Sequence, residues 1–543
     1  MAKVEVRGII DGLNDVSFNG YDITEVMVPQ ALMSMGMASV FPNSYGNITS
    51  IRCAPDVTSI GAGNLTGCGS LTKFQFSNSI SSVDSTAFSG INGIDYVVYG
   101  TNINLPMYAR FANVAPSGTK VEWTEGCTNT GDRCCYGSMY LTTVIVPQSL
   151  VVVDDYTFGE CLSLERIDLP SGLSTIGSGA FYRCEALESI SLPDTLTSIG
   201  DEYTFAFCSS LTEIEIPDSV VALGVDLFFQ SGLTTVRIGK GTSTIDYSAF
   251  NGCRSLSAFI VSEENQYFKS VGGLLLSKDG TAVIKGAGGD TGNVVVPVGV
   301  ESLHDNSFQW IDTIVTLTLP NSIEELPYGA FLGCKSLVGI DLGTGISVIP
   351  EECFEECESL QQMTIPPSVT TINSMAFSYS GITSISIPET VTELGDASIL
   401  YYGAFYACSD LVSITVDAAN PNYMSSNNML LTKDGKTLLQ GVNGNVVIPN
   451  YVETIYEYAF AGLHNLTSVT IPSSVTEIGV VAFDECSGLT SIVFLGNCPQ
   501  IESGAFSGVN ESCIVYVPQG STGWGVTPGT GEKWNGLEIV YST

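Results

Sequence analysis

The apolar positions of this chain follow one short pattern that returns about every 23 residues. The unit reads Ala-Phe-x-x-Cys-x-x-Leu-x-x-Ile, as in "AFYRCEALESISLPDTLTSIG" at 180–200 and "AFDECSGLTSIVFLGNCPQIE" at 482–502. Self-similarity at such a period predicts stacked copies of one supersecondary unit. The phased positions are Phe158, Phe181, Phe205, Phe228, Phe250, Phe308, Phe331, Phe354, Phe377, Phe405, Phe460, Phe483 and Phe506, with a weaker upstream series at Phe41, Leu65, Phe88, Phe111 and Cys135.

Each unit is predicted to contain two short strands. The pattern Leu-x-x-Ile-x-Leu puts Leu187, Ile190 and Leu192 on one side of an extended segment. Pro193 lacks an N–H and ends that strand, and "TLTSIG" supplies the second. Because so small a coil buries its apolar side only against its own copies, we predict a β-rich repeat solenoid of stacked short parallel strands. The Ala-Phe segments are expected to form irregular or short helical turns.

The sequence also contains a second, longer repeat. "GGLLLSKDGTAVIKG" at 272–286 matches "NNMLLTKDGKTLLQG" at 427–441 at an offset of 155 residues. Two apolar runs flanking Lys-Asp-Gly predict a β-hairpin, because Asp-Gly suits a turn that needs positive φ. We expect each hairpin to replace a standard coil and to interrupt the stack, within inserts near 262–297 and 417–449.

Composition narrows the classes of partner. Of 543 residues, 44% are hydrophobic and only 14% are charged, with 19 basic against 56 acidic residues and a net charge of −37. Such a surface repels nucleic-acid phosphates and anionic lipid. The start has no apolar run of signal-peptide length, and no segment approaches the length of a membrane span, so we expect a soluble protein without membrane insertion.

The residues at 459–479 carry a specific resemblance. They nearly spell Ala-Phe-x-x-Cys-x-x-Leu-x-x-Ile-x-Ile-Pro-x-Ser-Val-Thr-x-Ile-Gly, which resembles the BspA-like leucine-rich repeats, and the Lys-Asp-Gly inserts and the ending "VYVPQGSTGWG" are similar to that family too. The resemblance implies a right-handed leucine-rich-repeat superhelix over 47–518 that serves adhesion or protein binding, without catalysis or a cofactor. It leaves 1–46 as an N-terminal cap or attachment segment and 519–543 as a C-terminal cap.

The sixteen cysteines are expected to be mainly structural. Nine stand three residues after a phased position, where Ser231 and Ser380 stand in other copies, so this slot suits a small buried side chain and we predict a column of buried thiols. A zinc site at Cys127, Cys134 and Cys135 is disfavoured by the ligand spacing. A disulfide between Cys498 and Cys513 is an alternative in an oxidising compartment. The nine phased cysteines are Cys68, Cys161, Cys184, Cys208, Cys253, Cys334, Cys357, Cys408 and Cys486.

Catalytic chemistry finds little support. His304 and His464 lie in the coils that follow the two inserts, where repeat positions explain them better than a general base. The stretch "GAGGDTG" at 286–292 lacks the Gly-Lys-Ser/Thr of a phosphate loop and is interpreted as an ordinary loop. We therefore predict no enzyme, no metal and no cofactor.

An outward-facing strand surface is the candidate binding site. In each Leu-x-x-Ile-x-Ile strand, the residues that flank the central Ile point away from the core. Most carry hydroxyl groups, and the competing interpretation is that Ser and Thr are simply tolerated on an exposed strand. The candidate positions are Arg166, Asp168, Ser189, Ser191, Glu213, Glu215, Thr235, Arg237, Thr316, Thr318, Gln362, Thr364, Ser384, Ser386, Ser413, Thr415, Ser468 and Thr470.

Two functions of different classes fit these observations. The first is a non-enzymatic scaffold for adhesion or protein interaction that binds a protein or glycan along the repeats, at a cell surface as the resemblance implies. The second is a structural bacteriophage virion component, such as a fibre, spike or capsid-attached protein used for host or mucosal attachment. The genes beside this one would separate the two.

Overall fold

The computed structural model describes residues 2–5, 23–42, 45–84, 86–91, 93–100, 119–395 and 403–542. The chain divides into two compact units, Met1–Ser270 and Val271–Thr543. Each unit is a stack of turns about 23 residues apart, as the period predicts, with three sides per turn. One continuous solenoid over 47–518 stays a prediction, and Phe111 of the phased series lies outside the described residues.

The first side is a long-strand ladder, formed by the Leu-x-x-Ile-x-Ile segments. Its strands pair in parallel one turn apart, as Glu213–Ile216 does with Thr235–Ile238. In the first unit they are Ile23–Val28, Ser50–Cys53, Lys73–Gln75, Tyr96–Tyr99, Thr119–Trp123, Leu141–Ile145, Arg166–Ile167, Ser189–Ile190, Glu213–Ile216, Thr235–Ile238 and Ala258–Val261, with Ala2–Glu5 beside the first. In the second they are Asn293–Val295, Thr316–Thr318, Gly339–Asp341, Ser384–Ile387, Ser413–Val416, Gly444–Val447, Leu466–Ile471, Ser491–Phe494, Ile514–Val517 and Leu537–Tyr541.

The second side is a short-strand ladder, formed by the Thr-x-Ile-Gly segments. These strands also pair in parallel, with the apolar residue of each beside that of the next copy, as Ile176 is beside Ile199. In the first unit they are Ser59–Ile60, Ser82–Val83, Val152–Val153, Thr175–Ile176, Ser198–Ile199, Ala222–Leu223 and Thr244–Ile245. In the second they are Ser302–Leu303, Val348–Ile349, Thr371–Ile372, Glu393–Leu394, Thr454–Ile455, Glu477–Ile478 and Gln500–Ile501.

The third side is a turn ribbon, formed by the Ala-Phe segments. Of the two forms expected for these segments, irregular or helical turns, the structure has irregular turns. The phased Phe donates its N–H to the next turn, as Phe181 does to the Thr204 carbonyl at 3.0 Å. The residues two before and two after the phased Phe have positive φ, for example Tyr203 and Phe207 around Phe205. This alternation aims successive N–H groups at the next turn. The described residues form α-helices only at Gln30–Met35 and Met37–Val40.

The phased Phe side chains form a column inside each unit. From Phe158 to Phe250 the rings of successive turns stand 5.4–5.6 Å apart and lie within 24° of parallel. In the second unit, Phe331 stands between Phe308 at 5.8 Å and Phe354 at 5.4 Å, and it is 1% exposed. Each ring therefore packs on its own copy one turn away, and this contact requires the same residue in every copy.

The phased cysteines form a second column, and all nine are buried as predicted. Cys184 Sγ donates to the Phe158 carbonyl at 3.1 Å, and Cys357 Sγ donates to the Phe331 carbonyl at 3.3 Å. Burial raises the pKa of thiols in this column, for example to about 12 for Cys208, Cys334 and Cys408. The slot therefore needs a small side chain with a buried donor, which Ser can also supply. The structure contains Cys498 and Cys513 as two thiols, so the disulfide alternative is not supported.

The Lys-Asp-Gly inserts form hairpins, as predicted. Leu274–Ser277 pairs antiparallel with Ala282–Lys285, and the second hairpin pairs Met429–Thr432 with Tyr423–Ser426 on one side and Thr437–Gln440 on the other. Both turn glycines have positive φ, 86° and 76°. The last strand of each hairpin pairs in parallel with the next short strand, Ser302–Leu303 or Thr454–Ile455, so the insert takes the place of a coil and begins a new sheet of the short-strand ladder.

A glycine then stands where other turns place the phased Phe. The Gly441 N–H donates to the Ala459 carbonyl at 2.7 Å, a bond that a phased Phe makes elsewhere. A Cβ at Gly441 would lie 2.0 Å from the ring of Phe460, and one at Gly286 would lie 2.3 Å from Phe308. The ring of the following turn therefore fills the space, and only glycine fits.

The first and last described turns are covered by different contacts. Near the N-terminus the side chain of Gln30 accepts hydrogen bonds from the Thr58 and Ser59 N–H groups, at 2.7 and 2.9 Å, and donates to the Ser59 carbonyl. It therefore covers the edge of the first short strand. At the C-terminus Lys533–Trp534 pairs antiparallel with the last long strand, and buried Trp524 packs on Trp534 at 5.5 Å.

Candidate binding surface

The structure places all eighteen candidate positions outside the core. Each is exposed or half-buried, while the apolar residue between each pair is buried, except Met363, which is half-buried. In the strand Glu213–Ile216, for example, Glu213 and Glu215 are exposed and Ile214 and Ile216 are buried. The alternation of a half-buried strand predicted this orientation correctly.

Parallel register brings the candidate positions together in rows. Glu215 stands beside Arg237 in the first unit, and Ser386 stands beside Thr415 in the second. Neighbouring strands in a sheet are about 4.8 Å apart, so a ligand lying across the strands meets one side chain from every turn. Each unit has rows of its own. Within each unit, the row is the arrangement that could hold an extended ligand.

A groove opens at the strand ends of the first unit. It has a volume of about 390 Å³ and includes Glu215 and Arg237 of the candidate set. Next to it, Lys240 lies 3.3 Å from a carboxylate oxygen of Asp218 and 3.3 Å from one of Glu264. The lining carries three carboxylates, those of Asp194, Glu215 and Asp218, against the guanidinium of Arg237, so the groove is acidic like the chain as a whole. Shallow depth and mixed polarity suit an extended ligand more than a small molecule held in a closed pocket.

Sequence reasoning missed the earlier part of the same ladder. Lys73 and Lys120 place their Nζ atoms 4.3 and 4.5 Å from the centre of the Tyr96 ring, one turn to either side of it. The Tyr96 hydroxyl donates to Glu122, and burial together with this bond raises the pKa of Tyr96 to about 12. The weaker upstream phase beginning at Phe41 was the signal that could have found this cluster.

The acidic stretch at 351–358 lies on the turn ribbon of the second unit. Burial, with the neighbouring carboxylates of Glu352 and Glu356, raises the pKa of Glu355 to about 7. Lys335 Nζ lies 2.5 Å from a carboxylate oxygen of Glu358 and 3.8 Å from one of Glu356. The stretch is therefore largely half-buried, with one carboxyl group whose pKa lies close to neutral pH.

The two histidines are exposed. His464 Nδ1 lies 2.9 Å from the Glu485 carbonyl and 3.2 Å from Ser487 Oγ, and His304 follows a short strand. Among the residues that the structure describes, no three His, Cys, Asp or Glu side chains are arranged to hold a metal ion. In those same ranges no helix has the length and apolar character needed to cross a bilayer.

Three solved structures are similar to this chain. A leucine rich cell surface protein from Faecalibacterium prausnitzii A2-165 is 19% identical over 73% of this chain and 84% of its own, with a TM-score of 0.39. The pneumococcal vaccine antigen PcpA is 17% identical over 87% of this chain and 85% of its own, with a TM-score of 0.37. A leucine-rich repeat protein from Bacteroides ovatus ATCC 8483 is 24% identical over 73% and 88%, with a TM-score of 0.31. No curated protein sequence matches this chain.

The sequence comparison identifies the repeat itself. The profile of the BspA type leucine rich repeat region matches residues 1–115, 128–257, 289–412 and 442–525, which is most of the chain. These ranges contain every phased position from Phe41 to Phe506, and the first of them begins upstream of residue 47, where the resemblance was expected to start. With its stacked turns of about 23 residues, this chain belongs to the BspA-type leucine-rich repeat family.

Proposed function

We propose that this protein is a non-enzymatic binding scaffold that holds a protein or glycan along the long-strand ladder, at a cell surface. The observation that carries the proposal is the pair of outward rows fixed on a buried core. Glu213 and Glu215 in one turn and Thr235 and Arg237 in the next stand in register, while the Ile and Val residues between them are buried.

Such a surface binds by summing many weak contacts. A stack of turns is preorganised, because every turn is held by the turn before it and the turn after it. A ligand that lies on it therefore meets side chains whose backbone is already ordered, which lowers the entropic cost of association. Hydroxyl and carboxylate groups in rows offer hydrogen bonds to both peptides and sugars.

The cell-surface part of the proposal rests on membership of the family. The similar Faecalibacterium protein is a cell surface protein. The virion alternative finds no support among the similar proteins named above, and no feature of the described residues favours it.

We further propose that 1–46 acts as a cap rather than as an attachment segment, with a solenoid over 47–518 and a second cap at 519–543. The Gln30 contacts with Ser59 and the pairing of Ile23–Val28 with Ser50–Cys53 support the N-terminal cap. Deleting 1–46 should then lower stability and expose a strand edge that aggregates. A deletion variant that stays stable but leaves its cell or particle would instead make 1–46 an attachment segment.

The binding proposal is tested by changing Ser189, Ser191, Glu213 and Glu215 together to Lys. None of the four is buried, so folding should be unchanged, while binding to partners recovered by pull-down or on a glycan array should weaken about tenfold or more because of new clashes and reversed charge.

The matched control places four lysines on the short-strand ladder of the same turns. The exposed positions for it are Thr197, Ser198, Val221 and Ala222. This control should keep full binding. Unaltered binding by the strand-face variant against every recovered partner would contradict the proposal, as would equal loss in both variants.

A further inference from the structure

The turn ribbon of the first unit carries a row of aromatic side chains that the phased core does not use. They occupy the positions two before, one after and two after the phased residue, and all of them are half-buried. Successive turns therefore bring them side by side on the outside of the ribbon. We name this row the aromatic ridge, and its members are Tyr136, Tyr156, Tyr182, Tyr203, Phe207 and Phe229.

The ridge is continuous from turn to turn. Tyr182 is its centre, with ring centroids 6.3 Å from Tyr156, 6.4 Å from Tyr203 and 5.6 Å from Phe207. Each of these contacts is edge-to-face, at angles of 68–88°. In each of these pairs the edge of one ring meets the face of the other, and an aromatic face attracts cations through its quadrupole.

Carboxylates flank the ridge. The Tyr136 hydroxyl donates to Glu160 at 2.9 Å. The carboxylate of Asp226 raises the pKa of Tyr203, and Glu202 acts in the same direction. These acidic groups belong to a chain with a net charge of −37. A partner that covers the ridge therefore meets aromatic faces inside a negative field, and this combination favours a cationic partner.

The ridge already holds one cation of its own. The guanidinium of Arg133 lies 4.9 Å from the centre of the Tyr156 ring. A second arginine, Arg183, pairs with Glu185 at 3.1 Å. An intramolecular arginine stacked on a ridge tyrosine shows which chemistry the row accepts. Guanidinium stacks on aromatic faces and also pairs with carboxylates, whereas a lysine ammonium is more strongly hydrated.

We infer that the aromatic ridge is a docking surface for an extended, arginine-rich segment of a protein partner, whose guanidinium groups stack on the tyrosine rings between the flanking carboxylates. This inference goes beyond the proposed function, because the ridge lies on the turn ribbon and uses no residue of the long-strand ladder. Nucleic acid is disfavoured by the charge, and a purely apolar partner would desolvate the carboxylates of Glu160 and Asp226 without supplying a cation.

The test uses the full chain and a fluorescent synthetic peptide of alternating arginine and serine. Two matched peptides replace every arginine by lysine or by the neutral isostere citrulline. We expect the arginine peptide to bind most tightly, the lysine peptide more weakly, and the citrulline peptide not at all. Binding should fall as salt is added, because part of the attraction is between exposed charges.

Two variants test whether the peptide binds at the aromatic ridge. Tyr182→Leu keeps an apolar side chain but removes the central ring, so it should weaken the arginine peptide about three- to tenfold. Arg133→Gln vacates the Tyr156 ring and removes a competing charge, so it should strengthen binding by a similar factor. Tyr541→Leu, on an exposed tyrosine of the last long strand, should change nothing.

Several outcomes would overturn the inference. Equal binding of the arginine and citrulline peptides would exclude a cationic partner, and equal binding of arginine and lysine would reduce the effect to general charge attraction. Neutral oligosaccharides that bind with Tyr182 dependence would make the ridge a sugar site, and Tyr182-dependent self-association would make it an interface between copies. Loss of peptide binding in the four-lysine strand-face variant, with Tyr182→Leu unaffected, would move the site to the long-strand ladder.

Discussion

Replacing Phe331 by Ala should open a gap in the aromatic column of the second unit. Phe331 is 1% exposed and packs between the rings of Phe308 and Phe354. Truncating a buried Phe to Ala costs about 3–5 kcal/mol, and each aromatic pair contributes about 0.5–1.5 kcal/mol beyond the buried area. Because two pairs are lost at once, we expect about 4–5 kcal/mol. Phe331→Leu keeps most of the volume and should cost about 1–2 kcal/mol.

The loss should be local, and hydrogen exchange measures it turn by turn. In a stacked array each turn is stabilised by itself and by its two neighbours. Amides of the turns at 308–360, including the Phe331 N–H that donates to the Cys353 carbonyl at 2.9 Å, should exchange about a thousandfold faster in the Ala variant. Amides of the turns at 466–506 should keep their protection.

Two results would refute this reasoning. Unchanged exchange in the turns at 308–360 would mean that the ring is not held in the column. An equal loss of protection over the whole second unit would mean that the unit opens as one cooperative block and not turn by turn. Val338→Ala, on a side chain that is 50% exposed, is the matched control and should stay within about 0.5 kcal/mol of the parent.

Three further predictions follow from packing and burial. Gly441→Ala should lower the free energy of unfolding by about 1–3 kcal/mol, because the new Cβ meets the Phe460 ring. Gly339→Ala is the control and should be tolerated, because the space around Gly339 is open. Equal unfolding midpoints for the two variants would contradict this prediction. The phased thiols should resist alkylation until the protein unfolds. Their raised pKa values stabilise the folded protein fully below about pH 9, where the thiols of the unfolded chain are protonated too, and this stabilisation should be lost as the pH rises toward 12. The raised pKa of Glu355 stabilises the folded protein below pH 4.5, the ordinary pKa of a glutamate, and this stabilisation is lost as the pH rises through about 7. Glu355→Gln should therefore raise the unfolding temperature at pH 8. A higher unfolding temperature at pH 4 instead would contradict this prediction.

The parts of the fold that recur were predictable from the sequence. Phe181 and Phe331 each pack on the equivalent Phe of the neighbouring turns. Because this packing requires the same residue in every turn, the 23-residue period can be recognised in the sequence. The cysteine slot was predictable for the same reason, although the sequence alone did not reveal the bond from each thiol to the carbonyl one turn earlier. Strand alternation likewise predicted the outward direction of the candidate binding positions.

The parts that occur once were not predictable. Gln30 closes a strand edge through three contacts that no repeat copies. Gly441 takes the place of a phased Phe only because the hairpin brings Phe460 into that space, which follows from three-dimensional packing and not from the pattern. The Tyr96 cluster depends on cross-strand neighbours from turns whose repeat is weak. In each case the determining contact joins residues without a copied counterpart.

The turn ribbon separates what the fold requires from what it leaves open. Positions two before and two after the phased Phe have positive φ in turn after turn, and glycine adopts this conformation without the cost of about 1 kcal/mol or more that other residues incur. Gly179 and Gly333 follow this rule, yet Tyr156, Tyr203 and Phe207 carry large aromatic side chains at the same positions. Folding alone would favour glycine at all of them. Charged and polar residues such as Glu160, Arg183 and Gln230 also adopt positive φ at these positions, so the fold tolerates many side chains there, and the tyrosines of the proposed aromatic ridge are not dictated by the backbone.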